Sequence, residues 1–107
     1  MLVEVDGCIF LKSEVTRSHG YETLDETGKE AFVNHIHIEG PDHESKAEKW
    51  ILDVTAALKQ GWQGSVFRIY RQTESVESTV RFHMVRTSQP NWCEPELEGI
   101  EIIEVKA

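Results

Sequence analysis

Apolar and polar residues alternate along several short stretches of the chain, and a two-residue period is typical of β-strands with one buried face. In residues 2–13 the apolar positions fall on one face, on both sides of Gly7, and the charged positions fall on the other. This stretch predicts either one long strand with an irregularity at Gly7 or two short strands around an Asp6-Gly7 turn, because Asp-Gly is a strong hairpin signal. Residues 14–29 are polar and predict a loop.

The same alternation predicts four further strands, over residues 30–39, 65–72, 78–87 and 100–105. In the first of these, Phe32, Ile36 and Ile38 share one face with Asn34, and the opposite face carries Val33, His35, His37 and Glu39. The last strand is apolar on both sides, and a loop with two prolines at residues 88–99 precedes it. These stretches therefore predict a sheet with one strongly apolar face.

One stretch has the period of a helix instead. Apolar residues recur at helical spacing from Ala47 to Leu58, through Trp50, Ile51 and Val54, and form one stripe. Asp42 is a candidate N-cap, and Ser45 to Glu48 fits a capping box as an alternative start. The body of the helix is the same with either start.

The element order is therefore strand, strand, helix, strand, strand, strand. One helix covers one face of a sheet, so we predict a single two-layer α+β domain over residues 1–107, with a mostly antiparallel sheet of about five strands. The helix stripe should pack against the apolar sheet face, made of Phe32, Ile36, Ile38, Phe67, Ile69, Val80, Phe82 and Met84.

The opposite face is then determined by the two-residue period, and it collects basic and aromatic groups. Aromatic and guanidinium groups together suit planar or anionic ligands. Three interpretations stay open, namely a ligand site, a homodimer interface and a plain solvated surface. The candidate residues for ligand binding or an interface are His35, His37, Arg68, Tyr70, Arg81 and His83.

The histidines at 35 and 37 also raise the hypothesis of a metal site. Residues two apart in a strand point the same way and are separated by ~7 Å at Cα. A catalytic zinc needs a third protein ligand, for which Glu39 and His83 are the candidates, while His43 lies just beyond the turn. The alternative function is therefore a metal-dependent, hydrolytic enzyme that uses zinc or another divalent ion.

Other reaction chemistries find little support. The acidic residues and lysine of 41–46 stand at a helix start, which explains them without a nuclease site. Cys93 is followed by Glu94, Glu96 and Glu98, and negative charge raises the pKa of a thiol and lowers its reactivity. With Glu101 and Glu104, these three acids predict a solvated edge.

Composition narrows the class of partner. The net charge is −8, from 19 acidic and 11 basic residues, which disfavours binding to nucleic acid or to anionic membranes. The two cysteines lie far apart in sequence and predict reduced thiols in the cytoplasm. We therefore expect a small binding module without a cofactor or catalytic centre of its own, which forms a homodimer or binds a protein partner or small anionic ligand.

Overall fold

The computed structural model describes residues 1–21, 23–93 and 99–107. Within these residues the chain forms six strands and three helices, an α+β fold with antiparallel sheets, as the sequence predicts. In chain order the elements are β1 (Leu2–Val5), β2 (Cys8–Leu11), a 3-10 helix (Lys12–Tyr21), α1 (Glu26–Val33), β3 (His35–Glu39), α2 (His43–Gly61), β4 (Val66–Thr73), β5 (Glu77–Met84) and β6 (Ile100–Lys106).

The main sheet has four antiparallel strands in the order β3-β5-β4-β6, and α2 packs on one side of it, here called the first face. The predicted stripe is confirmed, because Val54, Leu58 and Ala47 are fully buried against this face. The core contains Ile51, Phe67, Ile69, Val80 and Phe82, with Trp50, Ile36, Ile38 and Met84 packed around it.

The N-terminal stretch forms a separate two-stranded sheet of β1 and β2. Asp6 and Gly7 both have positive φ, 51° and 81°, which is the conformation of the two central residues of a tight hairpin turn. The two-strand alternative is therefore confirmed, and the single long strand is wrong. Both faces of β2 are buried, since Ile9 lies in the main core and Phe10 lies in a second cluster with Val33.

The predicted strand over residues 30–39 is only half right, because its first part is the end of helix α1. The side chain of Asp25 accepts a hydrogen bond from the Gly28 amide at 2.7 Å and caps the first turn. Phe32 is consequently 39% exposed instead of buried under α2, and Val33 is fully buried beside β2 instead of lying in the main sheet. The predicted loop at 14–29 likewise contains the 3-10 helix and the start of α1.

Two polar side chains join the two sheets, Glu30 of α1 and Asn34, the residue that caps the C-terminal end of α1. Glu30 is fully buried and accepts hydrogen bonds from the amides of Ile9 in β2 (2.7 Å) and Met84 in β5 (2.9 Å). Arg86 forms an ion pair with the same carboxylate at 2.6 Å. The apolar alternation of residues 30–39 predicts one strand, but only residues 35–39 form it. Residues 30–33 belong to α1, which places the Glu30 carboxylate where it can bind backbone amides of both sheets.

Asn34, one turn after Glu30, completes this junction. Its side chain accepts from the amide of Leu11 at 2.8 Å and donates to the carbonyl of Ile9 at 2.8 Å. It also donates to the carbonyl of Phe82 at 3.5 Å. Glu30 and Asn34 thus make the hydrogen bonds that the backbone groups of β2 and β5 need where these two strands face each other. In a continuous sheet, those hydrogen bonds would come from a neighbouring strand.

The start of α2 differs in detail from the prediction. Asp42 occupies the N-cap position, but its side chain makes no capping hydrogen bond. Ser45 does not begin a capping box; its hydroxyl donates to the Asp42 carbonyl inside the first turn. His43 is the first helical residue, and its ring is buried with Nδ1 2.7 Å from the Ser78 hydroxyl.

Glu94, Glu96 and Glu98 of the predicted acidic edge lie outside the described residues, whereas Glu101 and Glu104 are exposed on β6. No helix in the described part of the chain is long and apolar enough to cross a membrane.

Leu58→Ala tests the packing of α2, because Leu58 has no exposed surface. We expect a loss of about 2–5 kcal/mol in the free energy of unfolding, measured by urea denaturation. Leu52→Ala on the same helix is the control, since Leu52 is 60% exposed and its truncation should change stability by less than about 0.5 kcal/mol. Equal effects would contradict the assignment of the buried stripe.

Glu30→Gln tests the junction between the sheets. The substitution leaves Arg86 without its buried counter-charge, so we expect a loss of about 3–5 kcal/mol. Glu101→Gln removes an exposed ion pair to Arg71 and should cost less than about 1 kcal/mol. The measurement is chemical denaturation of both variants in the same buffer, and similar losses would show that the Glu30 contacts are not a special constraint.

Candidate functional site

Strand pairing places the six candidate residues on the side of the main sheet opposite α2, here called the second face. His35 of β3 lies opposite Arg81 of β5, and Arg81 lies opposite Tyr70 of β4. His83 and Arg68 form the next cross-strand pair, and His37 lies opposite Thr79. The strand register thus places the six residues on one face of the sheet, as the two-residue alternation of the three strands predicts.

The second face is partly covered, whereas the predicted two-layer fold has a helix on one face and leaves the other face open. The segment after β5 folds back over it, so that Trp92 contacts Tyr70 edge-on with ring centroids 5.1 Å apart. The Tyr70 hydroxyl lies 3.3 Å from the carbonyl oxygen of Cys93. As a result Tyr70 and His83 are almost fully buried and inaccessible to a ligand.

His83 is held as a neutral imidazole by its surroundings. Its Nδ1 donates to the Met84 carbonyl at 2.9 Å, so Nε2 is the acceptor for the Tyr70 hydroxyl (2.8 Å) and the Trp92 amide (3.3 Å). Burial lowers the pKa of His83, because the charged ring would lose its hydration. Protonation of Nε2 would also leave the Trp92 amide facing another donor.

Tyr70 is neutral for the same reason, since burial raises the pKa of its phenol. The Tyr70–His83 pair is therefore a buried, uncharged layer beneath Trp92. We assign it a supporting role, because it holds the covering segment in place and is not itself exposed.

The accessible basic groups of the second face gather at the C-terminal end of α1. Arg81 donates to the carbonyl of Ala31 at 3.1 Å, and His35 Nδ1 lies 2.7 Å from the carbonyl of Phe32. Arg17, from the 3-10 helix, reaches the same Phe32 carbonyl at 3.4 Å. The last carbonyls of a helix carry partial negative charge, which explains why these side chains collect there. Arg17, His35, His37 and Arg81 are called the basic cluster below.

Arg81 is the central member of the basic cluster. Its guanidinium lies 3.9 Å from the ring centroid of Trp92 and 6.0 Å from that of Phe32. Partial burial lowers its pKa, and among the described residues no carboxylate forms an ion pair with it. A cation is thus held in a partly dry position by aromatic rings and one carbonyl.

The two histidines of the basic cluster differ in their contacts. Burial lowers the pKa of His35, and the nearby charge of Arg81 and Arg17 acts in the same direction. His37 is more exposed, and its Nδ1 lies 3.2 Å from Glu77 and 3.1 Å from the Thr79 hydroxyl. The permanently charged members of this cluster are the two arginines, and Arg17 forms an ion pair with Glu14 at 3.3 Å.

The four arginines between residues 68 and 86 do not form a single cationic patch. Arg71 lies on the first face and pairs with Glu48 and Glu101, and Arg86 is engaged by Glu30. Arg68 donates to the Cys93 carbonyl at 3.3 Å beneath the covering segment. Only Arg81 joins the basic cluster, together with Arg17, whose place near the sheet has no sequence signal.

The metal hypothesis lacks a third ligand in the part of the chain that the structure describes. The rings of His35 and His37 are 5.3 Å apart and perpendicular, but both nitrogens of His83 are engaged by Tyr70, Trp92 and Met84. His43 is buried against Ser78. Residues 1–21, 23–93 and 99–107 contain no group of three His, Cys, Asp or Glu side chains that could hold an ion.

Comparison with known proteins identifies a family. The model of the "Uncharacterized protein PM0498 family" matches residues 1–105. The chain belongs to this family. No curated protein and no solved structure matches it. The family's description names no ligand or reaction, so the function is inferred from the geometry of the site.

The buried, neutral His83 makes the stability of this family member depend on pH. Its folded pKa is below the unfolded value of about 6.5, as is that of His35, so the unfolded state binds more protons in acid. The contribution of the two neutral histidines to the free energy of unfolding should be complete above about pH 6.5. The free energy of unfolding should then decrease as the pH falls below that value.

Denaturation of wild type and His83→Gln at about pH 8 and about pH 5 measures this contribution. The variant should be less stable than wild type at the higher pH, because it loses hydrogen bonds, yet lose less stability on acidification. Equal losses in the two proteins would contradict the role of His83, and NMR titration of its ring provides an independent check.

Proposed function

We propose that the protein is a binding module that acts through the second face of its main sheet and recognises the carboxylate or phosphate group of a small anionic ligand at the basic cluster. The observation that carries the proposal is Arg81, a partly buried guanidinium without an acidic partner among the described residues. A ligand anion would supply the missing counter-charge.

The chemistry of Arg81 suits such a ligand. A guanidinium has five N–H donors in a fixed plane, and among the described residues Arg81 makes one hydrogen bond, to the Ala31 carbonyl. The remaining donors match the spacing of two oxygens on a carboxylate or phosphate. Trp92 and Phe32 fix the plane of the group, which lowers the entropy lost when a ligand binds.

The electrostatic setting supports the same ligand class. The protein carries a net charge of −8, so most of its surface repels anions. The basic cluster is a local exception, because Arg81 has no acidic partner among the described residues, whereas Arg17 forms an ion pair with Glu14 at 3.3 Å. An anion would therefore be directed to this part of the second face and away from the rest.

The metal-dependent enzyme is the weaker alternative. It requires His35 and His37 to share an ion with a third ligand. Of the two sequence candidates, Glu39 and His83, His83 is buried with both ring nitrogens engaged, and the described residues hold no group of three side chains that could bind an ion. We therefore propose binding without catalysis by a metal.

Two further parts of the proposal concern where and in what form the module acts. We propose a cytoplasmic location, supported by the sequence, in which the two cysteines lie far apart and are expected to be reduced thiols. We also propose a homodimer. Ile103 of the last strand is only partly buried and the neighbouring Leu52 of α2 is 60% exposed, which leaves apolar surface for a second copy.

Arg81→Gln tests the anion site, with inorganic phosphate as the probe. Wild type should bind phosphate with a Kd near about 1 mM, and Arg81→Gln should weaken binding at least about tenfold. The control is Arg71→Gln, which removes the same charge from the opposite face, where Glu48 and Glu101 already pair with it. The measurement is NMR titration of the Trp92 indole at constant ionic strength.

Equal weakening by the two substitutions would mean that phosphate responds only to net charge, which would refute the site. The pH dependence gives a second readout. Because the pKa of His35 is lowered, its positive charge appears only below its ordinary value of about 6.5, and phosphate binding that uses His35 should strengthen there.

A further inference from the structure

Strand β6 is one edge of the main sheet, and among the described residues it pairs only with β4. It is seven residues long and contains neither proline nor glycine. Natural proteins usually protect such an edge with a bulge, a proline, a covering loop or charged side chains, because unpaired backbone groups can pair with another strand. Of these features the described part of β6 has only the charged side chains, Glu101, Glu104 and Lys106, so its edge favours a strand whose charges are complementary.

The hydrogen bonds show which backbone groups of β6 point outward. The amide of Ala107 donates to the carbonyl of Ser65, the residue before β4, at 2.9 Å. Because hydrogen-bonded pairs alternate along an antiparallel ladder, the odd-numbered residues of β6 direct their backbone groups toward β4. The even-numbered residues Ile102, Glu104 and Lys106 direct theirs away from the sheet. An incoming strand would meet alternating donors and acceptors at these positions.

An apolar groove runs beside this edge, between β6 and α2. It has a volume of about 490 Å³ and is lined by Ile51, Leu52, Thr55, Ile103 and Val105, with charged residues at its rim. Leu52 is 60% exposed there. A strand added to β6 would thus gain apolar contacts on the first face in addition to backbone hydrogen bonds.

We propose that the occupant of this edge is β6 of a second copy, paired antiparallel around a two-fold axis at Val105. In that register Glu104 faces the partner's Lys106, and Lys106 faces the partner's Glu104, on the second face. On the first face Val105 meets its own symmetry mate, and Ile103 meets the partner's Ala107. Apolar residues face apolar ones and opposite charges face each other, which is the complementarity that stabilises strand pairs.

Neighbouring registers lack this match. A two-fold axis at Glu104 or Glu101 places two glutamates opposite each other, which is destabilising. An axis at Ile103 places Ile102 opposite Glu104 and Ile100 opposite Lys106. The sequence of β6 therefore selects the axis at Val105, and the two main sheets become one continuous sheet of eight strands, from four in each copy.

This inference deepens the proposed homodimer and is independent of the basic cluster, which lies at the β3 side of the sheet. Sedimentation velocity of the full chain, from about 1 to about 500 µM, should show a reversible species of twice the chain mass. Lys106→Glu puts two glutamates opposite each other and should raise the dimer dissociation constant at least about tenfold. The double substitution Glu104→Lys with Lys106→Glu restores both opposite-charge pairs and should restore the dimer.

The control is Lys46→Glu, an exposed charge reversal at the start of α2 with the same change in net charge, and it should leave the dimer intact. Leu52→Glu provides a second variant, since it places a charge in the groove without disturbing a buried residue, and it should weaken the dimer. Circular dichroism checks that each variant is folded.

A wild-type chain that stays monomeric over this range, or a dimer indifferent to Lys106→Glu and Leu52→Glu, would overturn the inference. Phosphate binding distinguishes the two proposals. Loss of the dimer with phosphate binding retained refutes only the β6 interface, and loss of phosphate binding with the dimer retained refutes only the basic cluster as an anion site.

Discussion

The fold depends on one turn of α1 that replaces a β-ladder between two sheets. Glu30 and Asn34 are four residues apart and therefore point the same way from the helix. Between them they satisfy backbone groups of Ile9, Leu11, Phe82 and Met84. Because Glu30 is fully buried, its charge requires Arg86, which ties residue 86 to the same point. Moving α1 would leave a buried carboxylate and several backbone groups unpaired.

This anchorage also determines where the basic cluster lies. With Glu30 and Asn34 fixed between β2 and β5, the last carbonyls of α1 reach the edge of the second face beside Arg81 and His35. The partial negative charge at that helix end then attracts Arg17 from a distant part of the sequence. A structural requirement in the core and a positive surface patch in an acidic protein thus share one cause.

The second face combines two layers with different properties. Tyr70 and His83 form a neutral, buried pair beneath Trp92, whereas Arg81 and the β3 histidines remain within reach of solvent. The neutral pair positions Trp92, and Trp92 in turn orients the guanidinium of Arg81. Rigid support beneath an accessible charged group is the arrangement that favours selective binding of a small anion. The β6 strand is the opposite edge of the sheet from β3, so the proposed ligand binding and the proposed dimerisation need not compete.

The sequence alone determined the elements whose period is clear and whose faces are chemically distinct. These are α2, with its stripe from Ala47 to Leu58, and strands β3 to β6, whose alternation placed His35, His37 and Arg81 on one face. It misassigned residues 26–33 because an eight-residue helix with buried polar groups has no apolar stripe to reveal it. Only the tertiary structure decided the partners of Glu30 and Asn34, the burial of Tyr70 and His83, and the place of Arg17 and Trp92. Those depend on contacts between residues far apart in the chain, and local periodicity carries no information about such contacts.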